Sequence, residues 1–183
     1  MNKILVCCFL LAVYCFSSCS SGKKEVVDER QNLLLHIDTL EKQMVNASSM
    51  ELNKNIASQG ITAYEEFAKK FPSDTISPEY LFRASDLSRA LGDNAKSLDL
   101  LKKICSAYPN YRKTPDCIFL QGYYRQELFG DTAGARTFYN ELIAKFPNHP
   151  FAGDAKAMIG MFGKTDEQVM REFEQKNAAP KKK

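Results

Sequence analysis

Tryptophan is absent from this chain of 183 residues, and histidine occurs only twice. The missing tryptophan removes the commonest large side chain for stacking on sugars, although tyrosine can take its place. Two histidines and nine glycines leave little material for a histidine-rich metal site or a glycine-rich phosphate loop. An excess of one charge is also lacking, because 25 Lys and Arg face 22 Asp and Glu, which gives a net charge of +3. Proteins dedicated to nucleic acid carry a basic domain or stripe, so we expect no nucleic-acid partner.

Recognisable catalytic motifs are missing as well. No serine lies in a G-x-S-x-G pattern, and there is no glycine-rich phosphate loop and no metal-ligand spacing. His36 and His149 lie far apart in the sequence, so each is expected to be a surface or packing residue. Carboxylates are numerous but could pair only in three dimensions. We therefore expect a protein that is not an enzyme and that uses no cofactor and no metal.

The N-terminus carries the pattern of a secretory signal peptide. A short basic start, Met1–Lys3, precedes an almost wholly apolar run of 13 residues, 4–16. That length lies within the roughly 7–15 residues of a signal-peptide core and below the about 20 that a membrane-spanning helix needs. Small residues follow directly. The pattern predicts a signal peptide over residues 1–18 and a flexible tether over 19–24.

The end of this leader, Phe16-Ser17-Ser18-Cys19, resembles the lipobox of bacterial lipoproteins, with Phe16 where leucine is usual. In that family the cysteine sulfur receives a diacylglyceryl group, the leader is cut before the cysteine and the new amino group is acylated. The resemblance implies lipidation at Cys19. By likeness to enterobacterial sorting, Ser20 after it implies the outer membrane, on the periplasmic side. An ordinary secretory leader that is cut nearby, or kept as an anchor, is the alternative.

Two cysteines, Cys105 and Cys117, would remain free in the processed chain, 12 residues apart. Disulfides persist in oxidising compartments such as the periplasm. The pair is therefore expected either to form a disulfide or to serve as small buried hydrophobic residues where two helices meet. Two cysteines without a nearby histidine cannot complete a zinc site.

The rest of the chain repeats itself. An aromatic residue followed by proline occurs at Phe71-Pro72, Tyr108-Pro109 and Phe146-Pro147, with the prolines 37 and 38 residues apart. Gly92-Asp93 and Gly130-Asp131 keep step with this spacing, 38 residues apart. A fixed period in this range indicates a solenoid of stacked units.

Each unit is expected to consist of two helices. Pro78 and Pro115 suit the first turn of a helix, and Gly92 and Gly130 suit the left-handed residue that ends one. The aspartate after each of these glycines is a preferred N-cap for a following helix. The proline that closes each unit cannot continue a helix. The pattern therefore predicts antiparallel helix pairs.

The second helices resemble those of the tetratricopeptide repeat (TPR), in which a small residue, an aromatic residue and an apolar residue precede a closing proline. Three sets take these places: Gly60, Tyr64, Phe67 and Pro72; Ser97, Leu101, Ile104 and Pro109; and Ala135, Tyr139, Leu142 and Pro147. The resemblance covers residues 54–176 and implies an all-α, TPR-like solenoid. The period exceeds the TPR length of about 34 by about four residues, which fit loops at 73–77 and 111–114. Longer repeats of this kind are similar to those of periplasmic TPR proteins, including the TPR lipoprotein of the BAM assembly machine and the Tol-Pal-associated cell-division coordinator.

Helices are also expected on both sides of the repeats. Residues 25–53 predict an amphipathic helix that packs on the first repeat, with a short coiled coil as the alternative. A C-terminal capping helix is predicted through Phe173, and a basic tail at 177–183. The apolar positions of the first helix are Val26, Leu33, Ile37, Leu40 and Met44, and those of the last are Val169, Met170 and Phe173.

The TPR resemblance implies a protein-interaction adaptor that binds other envelope proteins or peptides. TPR solenoids present a concave face that is built by the first helix of each repeat. Two alternatives stay open, which are a structural subunit of an envelope assembly and a hydrolase or carbohydrate-binding accessory. The candidate partner-binding residues are Arg83, Asp86, Arg89, Tyr123, Tyr124 and Glu127.

Overall fold

The computed structural model describes residues 21–44 and 51–178. Within these ranges the chain forms eight α-helices and no β-strand, which confirms the all-α, TPR-like fold. The predicted signal peptide, Cys19 and the end of the basic tail lie outside the described residues. The helices are α1 Ser21–Met44, α2 Lys54–Lys70, α3 Ser77–Ala90, α4 Asn94–Ala107, α5 Thr114–Phe129, α6 Thr132–Lys145, α7 Pro150–Met161 and α8 Asp166–Ala178.

The chain divides after Tyr80 into two compact units. In the first unit α1 packs against α2, with Ile37, Leu40 and Met44 buried. Packing of an amphipathic helix on the first repeat is therefore confirmed over the coiled coil. The bounds differ from the prediction, because α1 begins at Ser21, inside the expected tether, and ends at Met44.

Polar contacts hold α1 in place in the first unit. Arg30 Nε lies 2.6 Å from Asp74 Oδ2, and this hydrogen bond holds the pKa of Asp74 below its usual value. The Tyr64 hydroxyl donates to Glu41 Oε1 at 2.7 Å. Arg30, which interrupts the apolar pattern of α1, therefore ties the helix to the loop that follows α2.

The second unit shows the order of packing that a repeat structure requires. Helix α4 packs on α5, α5 on α6 and α6 on α7, and α5 also contacts α7. Contact between α5 and α7 joins the first helices of successive repeats. Each element therefore packs on its neighbours along the chain, as in a solenoid.

The turns inside the helix pairs follow the predicted chemistry. Gly92 and Gly130 are left-handed, with φ of 88° and 64°. Asp93 and Asp131 cap the helices that follow, accepting hydrogen bonds from Lys96 N at 3.0 Å and Gly134 N at 2.8 Å.

The turn after α5 is one residue wider than the turn after α3. The amide of Asp93 bonds to the Ser88 carbonyl, five residues back, whereas the amide of Asp131 bonds to the Arg125 carbonyl, six residues back. The additional residue of this repeat is therefore absorbed at the C-terminal end of α5.

The longer loops between repeats are built in the same way twice. The Ser77 hydroxyl donates to the Phe71 carbonyl at 2.6 Å, and the Thr114 hydroxyl donates to the Tyr108 carbonyl at 2.9 Å. Both hydroxyl residues are buried. Because Phe71 and Tyr108 end helices, these bonds satisfy carbonyls that the helix leaves unpaired.

Tyr139 is the largest fully buried side chain of the core. It packs with Ile118, Ala135, Leu142 and Ala155. Its ring fills the space beside Gly122, where an added Cβ would come within 2.8 Å of Tyr139 Cε1. Burial raises the pKa of Tyr139 to about 12. The small residue on α5 therefore makes room for the aromatic residue on α6.

The last helix differs from the expected cap. Helix α8 forms, with Thr165 and Gln168 exchanging the reciprocal hydrogen bonds of a capping box. Met170 and Phe173, however, are 57% and 62% exposed. No later helix exists in the described residues to cover this face, so α8 continues the helical pattern without burying its own apolar residues.

We expect Tyr139→Ala to lower the free energy of unfolding by about 3–5 kcal/mol, the range for removal of a buried aromatic side chain. Tyr139→Phe keeps the ring and should cost under about 1.5 kcal/mol, because the hydroxyl makes only a long, 3.5 Å hydrogen bond to Gln126. Urea unfolding followed by circular dichroism measures both values. Equal stability of Tyr139→Ala and the unchanged chain would contradict the assigned repeat register.

Candidate interaction surface

Three of the predicted partner-binding residues lie on one face of α3. Arg83, Asp86 and Arg89 follow one another at intervals of three residues and are all exposed. Residues three or four apart share a face of a helix. Helix α3 therefore presents two cations and one carboxylate in a single row.

The other three predicted residues lie on α5 and do not behave alike. Tyr123 is 38% exposed and Glu127 is also exposed, and they are four residues apart on one face. Tyr124 is only 6% exposed. Its place in the prediction as a partner-binding residue does not match its burial, which leaves it too little surface for direct contact.

Tyr124 instead joins the two helices. The Arg89 guanidinium lies 5.7 Å from the centre of the Tyr124 ring, a cation–π contact that also includes a hydrogen bond. Burial raises the pKa of Tyr124, and the nearby carboxylate of Asp86 acts in the same direction. The structure thus brings Asp86, Arg89 and Tyr124 together and places Tyr123 beside them. We call the exposed residues Arg83, Asp86, Arg89, Tyr123 and Glu127 the α3–α5 face.

An aromatic row extends from this face to α7. The Tyr123 and Phe119 rings stack with centroids 6.4 Å apart, and Phe119 stacks on Phe151 at 4.6 Å. The spacing of Phe119 and Tyr123, four residues on one helix, was a signal that they share a side of α5. The sequence analysis did not include Phe119 or Phe151 in the site, because Phe151 joins the row only through packing between repeats.

The stacking limits what the row can bind. Phe119 lies between Tyr123 and Phe151, so its ring faces already contact protein. A sugar platform requires an open aromatic face, whereas protein side chains can also pack on ring edges. The exposed part of Tyr123, flanked by charges of both signs, is better suited to protein side chains than to a flat sugar ring.

Neither histidine belongs to a metal or catalytic cluster in the part of the chain that the structure describes. His149 caps α7, where its Nδ1 lies 3.4 Å from the Phe151 amide, and its Nε2 lies 3.8 Å from Asp116 Oδ2. His36 is exposed on α1. The described residues hold no group of three or more His, Cys, Asp or Glu side chains with the geometry for a metal ion.

Among the helices described, none combines the length and the apolar character that would let it cross a membrane.

Comparison with known proteins identifies two copies of one repeat. Residues 79–111 and 116–149 each match the family model for the tetratricopeptide repeat. The first match covers α3 and α4, and the second covers most of α5 and all of α6. The α3–α5 face therefore lies on the first helices of two TPR repeats. No curated protein and no solved structure matches the chain.

We expect variants of the adjacent tyrosines to separate surface from core. Tyr124→Ala should lower the free energy of unfolding by roughly 3 kcal/mol, because its ring is buried. Tyr123→Ala should cost about 1 kcal/mol or less, since much of its ring already contacts water. Thermal or urea unfolding of the two variants in parallel measures the difference. Similar losses for both would show that Tyr123 is a core residue and unavailable to a partner.

Proposed function

We propose that this chain is a non-catalytic adaptor that binds a protein or peptide through the α3–α5 face. The observation that carries the proposal is the exposed Tyr123 beside Arg89 on the first helices of consecutive TPR repeats. Stacked helical repeats typically serve as extended binding surfaces. Tyrosine and arginine are the residues that, with tryptophan, most often dominate interface energies.

The chemistry of the face indicates the kind of partner. Arg83 and Arg89 can pair with carboxylates, whereas Asp86 and Glu127 can pair with amines or guanidinium groups. Tyr123 offers an apolar ring between them. A short extended segment or helix that carries charges of both signs around an apolar side chain fits this arrangement. We infer that the partner is another protein of the bacterial envelope.

We further propose that the chain is a lipoprotein of the bacterial outer membrane that faces the periplasm. The apolar leader and the sequence Phe16-Ser17-Ser18-Cys19 support this location. Lipid on Cys19 would tether the repeats to the bilayer. Anchoring by a single acyl chain is marginal, but several chains hold a protein stably, and the lipobox family carries both a diacylglyceryl and an acyl group.

One observation favours a second candidate, a structural subunit of an outer-membrane protein assembly or of a Tol-Pal or cell-division complex. Large apolar side chains on α7 and α8, namely Met161, Met170 and Phe173, are exposed. Met161 and Phe173 also line an open groove of about 310 Å³ between these helices. Exposed apolar patches often mark permanent interfaces. On size-exclusion chromatography of detergent extracts, a subunit would migrate with a large complex, whereas an adaptor would separate from its partner.

Capture of partners from cells tests the adaptor function. The full-length chain is expressed in a bacterium with a periplasm, crosslinked in intact cells and purified, and its partners are identified by mass spectrometry. Arg89→Ala and Tyr123→Ala should each reduce the specific partner by about tenfold, equivalent to roughly 1.4 kcal/mol of binding energy. Binding of the purified partner to the unchanged chain and to both variants then gives the affinities.

Phe173→Ala is the matched control, because Phe173 is an exposed aromatic residue on a helix outside the α3–α5 face. An adaptor should lose its partner in the two face variants and keep it in this control. Loss only in Phe173→Ala would contradict the α3–α5 face and favour the structural subunit.

A separate experiment tests the anchor. We expect Cys19→Ala to abolish labelling by a radioactive or alkyne-tagged fatty acid and to release the chain from the membrane fraction, because the lipid is its proposed tether. Cys15→Ala is the control and should leave both readouts unchanged. Full membrane retention of Cys19→Ala, with normal label transfer, would contradict lipidation at this position.

A further inference from the structure

Cys105 and Cys117 have no part in the proposed binding function, yet they lie together. Cys105 belongs to α4 and Cys117 to α5, and both thiols are free. These two helices pack against each other. The side chains of the two cysteines form a hydrogen bond with each other. Two sulfurs 12 residues apart in the sequence are therefore in direct contact at the junction between two repeats.

Gln121 holds this pair from one side. Its Nε2 donates to Cys105 Sγ at 3.3 Å and to the Cys117 carbonyl at 3.2 Å. Gln121 is itself buried, on the same helix as Cys117. On the other side, Cys105 Sγ lies 4.0 Å from the Thr114 carbonyl. The two sulfurs thus meet in a pocket whose polar groups contact Cys105 in particular.

The two thiols are not equivalent. Cys105 is partly exposed, whereas Cys117 is fully buried. The hydrogen bond from Cys117 lowers the pKa of Cys105, and the same contact, together with burial, raises the pKa of Cys117. The thiolate is the nucleophilic form of cysteine. The accessible member of the pair is therefore also the one that ionises first.

We propose that Cys105 and Cys117 form a reversible dithiol–disulfide site that reacts with small disulfides such as glutathione disulfide and links α4 to α5 when oxidised. The Cys105 thiolate attacks one sulfur of the oxidant, whose disulfide bond breaks and releases one thiolate that takes up a proton. Cys117 then loses its proton and attacks the Cys105 sulfur, which releases the second thiol. Two protein thiols are oxidised, and one small disulfide is reduced to two thiols.

The link would join the second helix of one repeat to the first helix of the next. Helix α5 also carries Tyr123 and Glu127, so oxidation fixes one side of the α3–α5 face to the preceding helix. The expectation that the bridge closes in the cell rests on the proposed envelope location, where disulfides persist. The reaction of the folded chain itself does not depend on that location.

Peptide mapping of the full-length chain in detergent tests the site. The reduced chain is treated with glutathione disulfide, the remaining thiols are alkylated at low pH, and the chain is digested with trypsin. Cys105 and Cys117 fall in separate peptides, residues 104–112 and 114–125, each with one cysteine. We expect these peptides linked, with a mass two hydrogen atoms below the sum of the reduced peptides, and separated again by a reductant.

Single variants test the order of the two steps. Cys117→Ser should accumulate a mixed disulfide between Cys105 and glutathione, because the second thiol is missing. Cys105→Ser should leave Cys117 unmodified over the same time, because Cys117 is buried. In urea, where both residues are accessible, each variant should form the adduct, which verifies that the peptides are detected.

Two results would overturn the proposal. One is an absence of linked peptides in the folded chain, and the other is equal reactivity of the two folded variants. Circular dichroism of each variant checks that the helices persist. Alkylation of thiols in intact cells before lysis gives a separate readout. A chain that forms the bridge when purified but is fully reduced in cells would contradict the envelope location and support the site.

Discussion

Close contact between a small residue on one helix and a large one on the next is the constraint on which the second unit depends. Gly122 leaves the space that the Tyr139 ring fills, and Ala135 and Ala155 complete the surroundings of the ring. In the repeat before, Ser85 and Ser97 meet through hydroxyl groups 2.9 Å apart. Both solutions bring neighbouring helices close enough to exclude water, and a hairpin that lacked this contact could not bury its apolar side.

This constraint also determines where binding residues can lie. The faces of α3, α5 and α7 that take part in core packing are occupied, so only the opposite sides remain for a partner. Tyr123 and Tyr124 illustrate the division, since adjacent positions on one helix point about 100° apart. One ring faces solvent and the other lies beneath Arg89.

Much of the architecture could be predicted from the sequence because its signals are local. Gly92, Asp93 and the aromatic-proline pairs act within one turn of chain, and each does so as expected. The burial of Tyr124 and the row from Tyr123 to Phe151 could not be predicted, because they depend on the rotation of one helix against another. The exposure of Phe173 was missed for a related reason. A correct helical pattern does not tell whether another helix exists to cover it.

The bonds from Ser77 to the Phe71 carbonyl and from Thr114 to the Tyr108 carbonyl give both junctions the same internal wiring. Each junction is satisfied by atoms of its own few residues and requires nothing from distant sequence. A gene segment that begins at one junction and ends at the other therefore encodes an interchangeable module. Duplication or loss of such a segment would change the length of the array while leaving every splice point chemically complete, which is a route by which arrays of this kind can evolve.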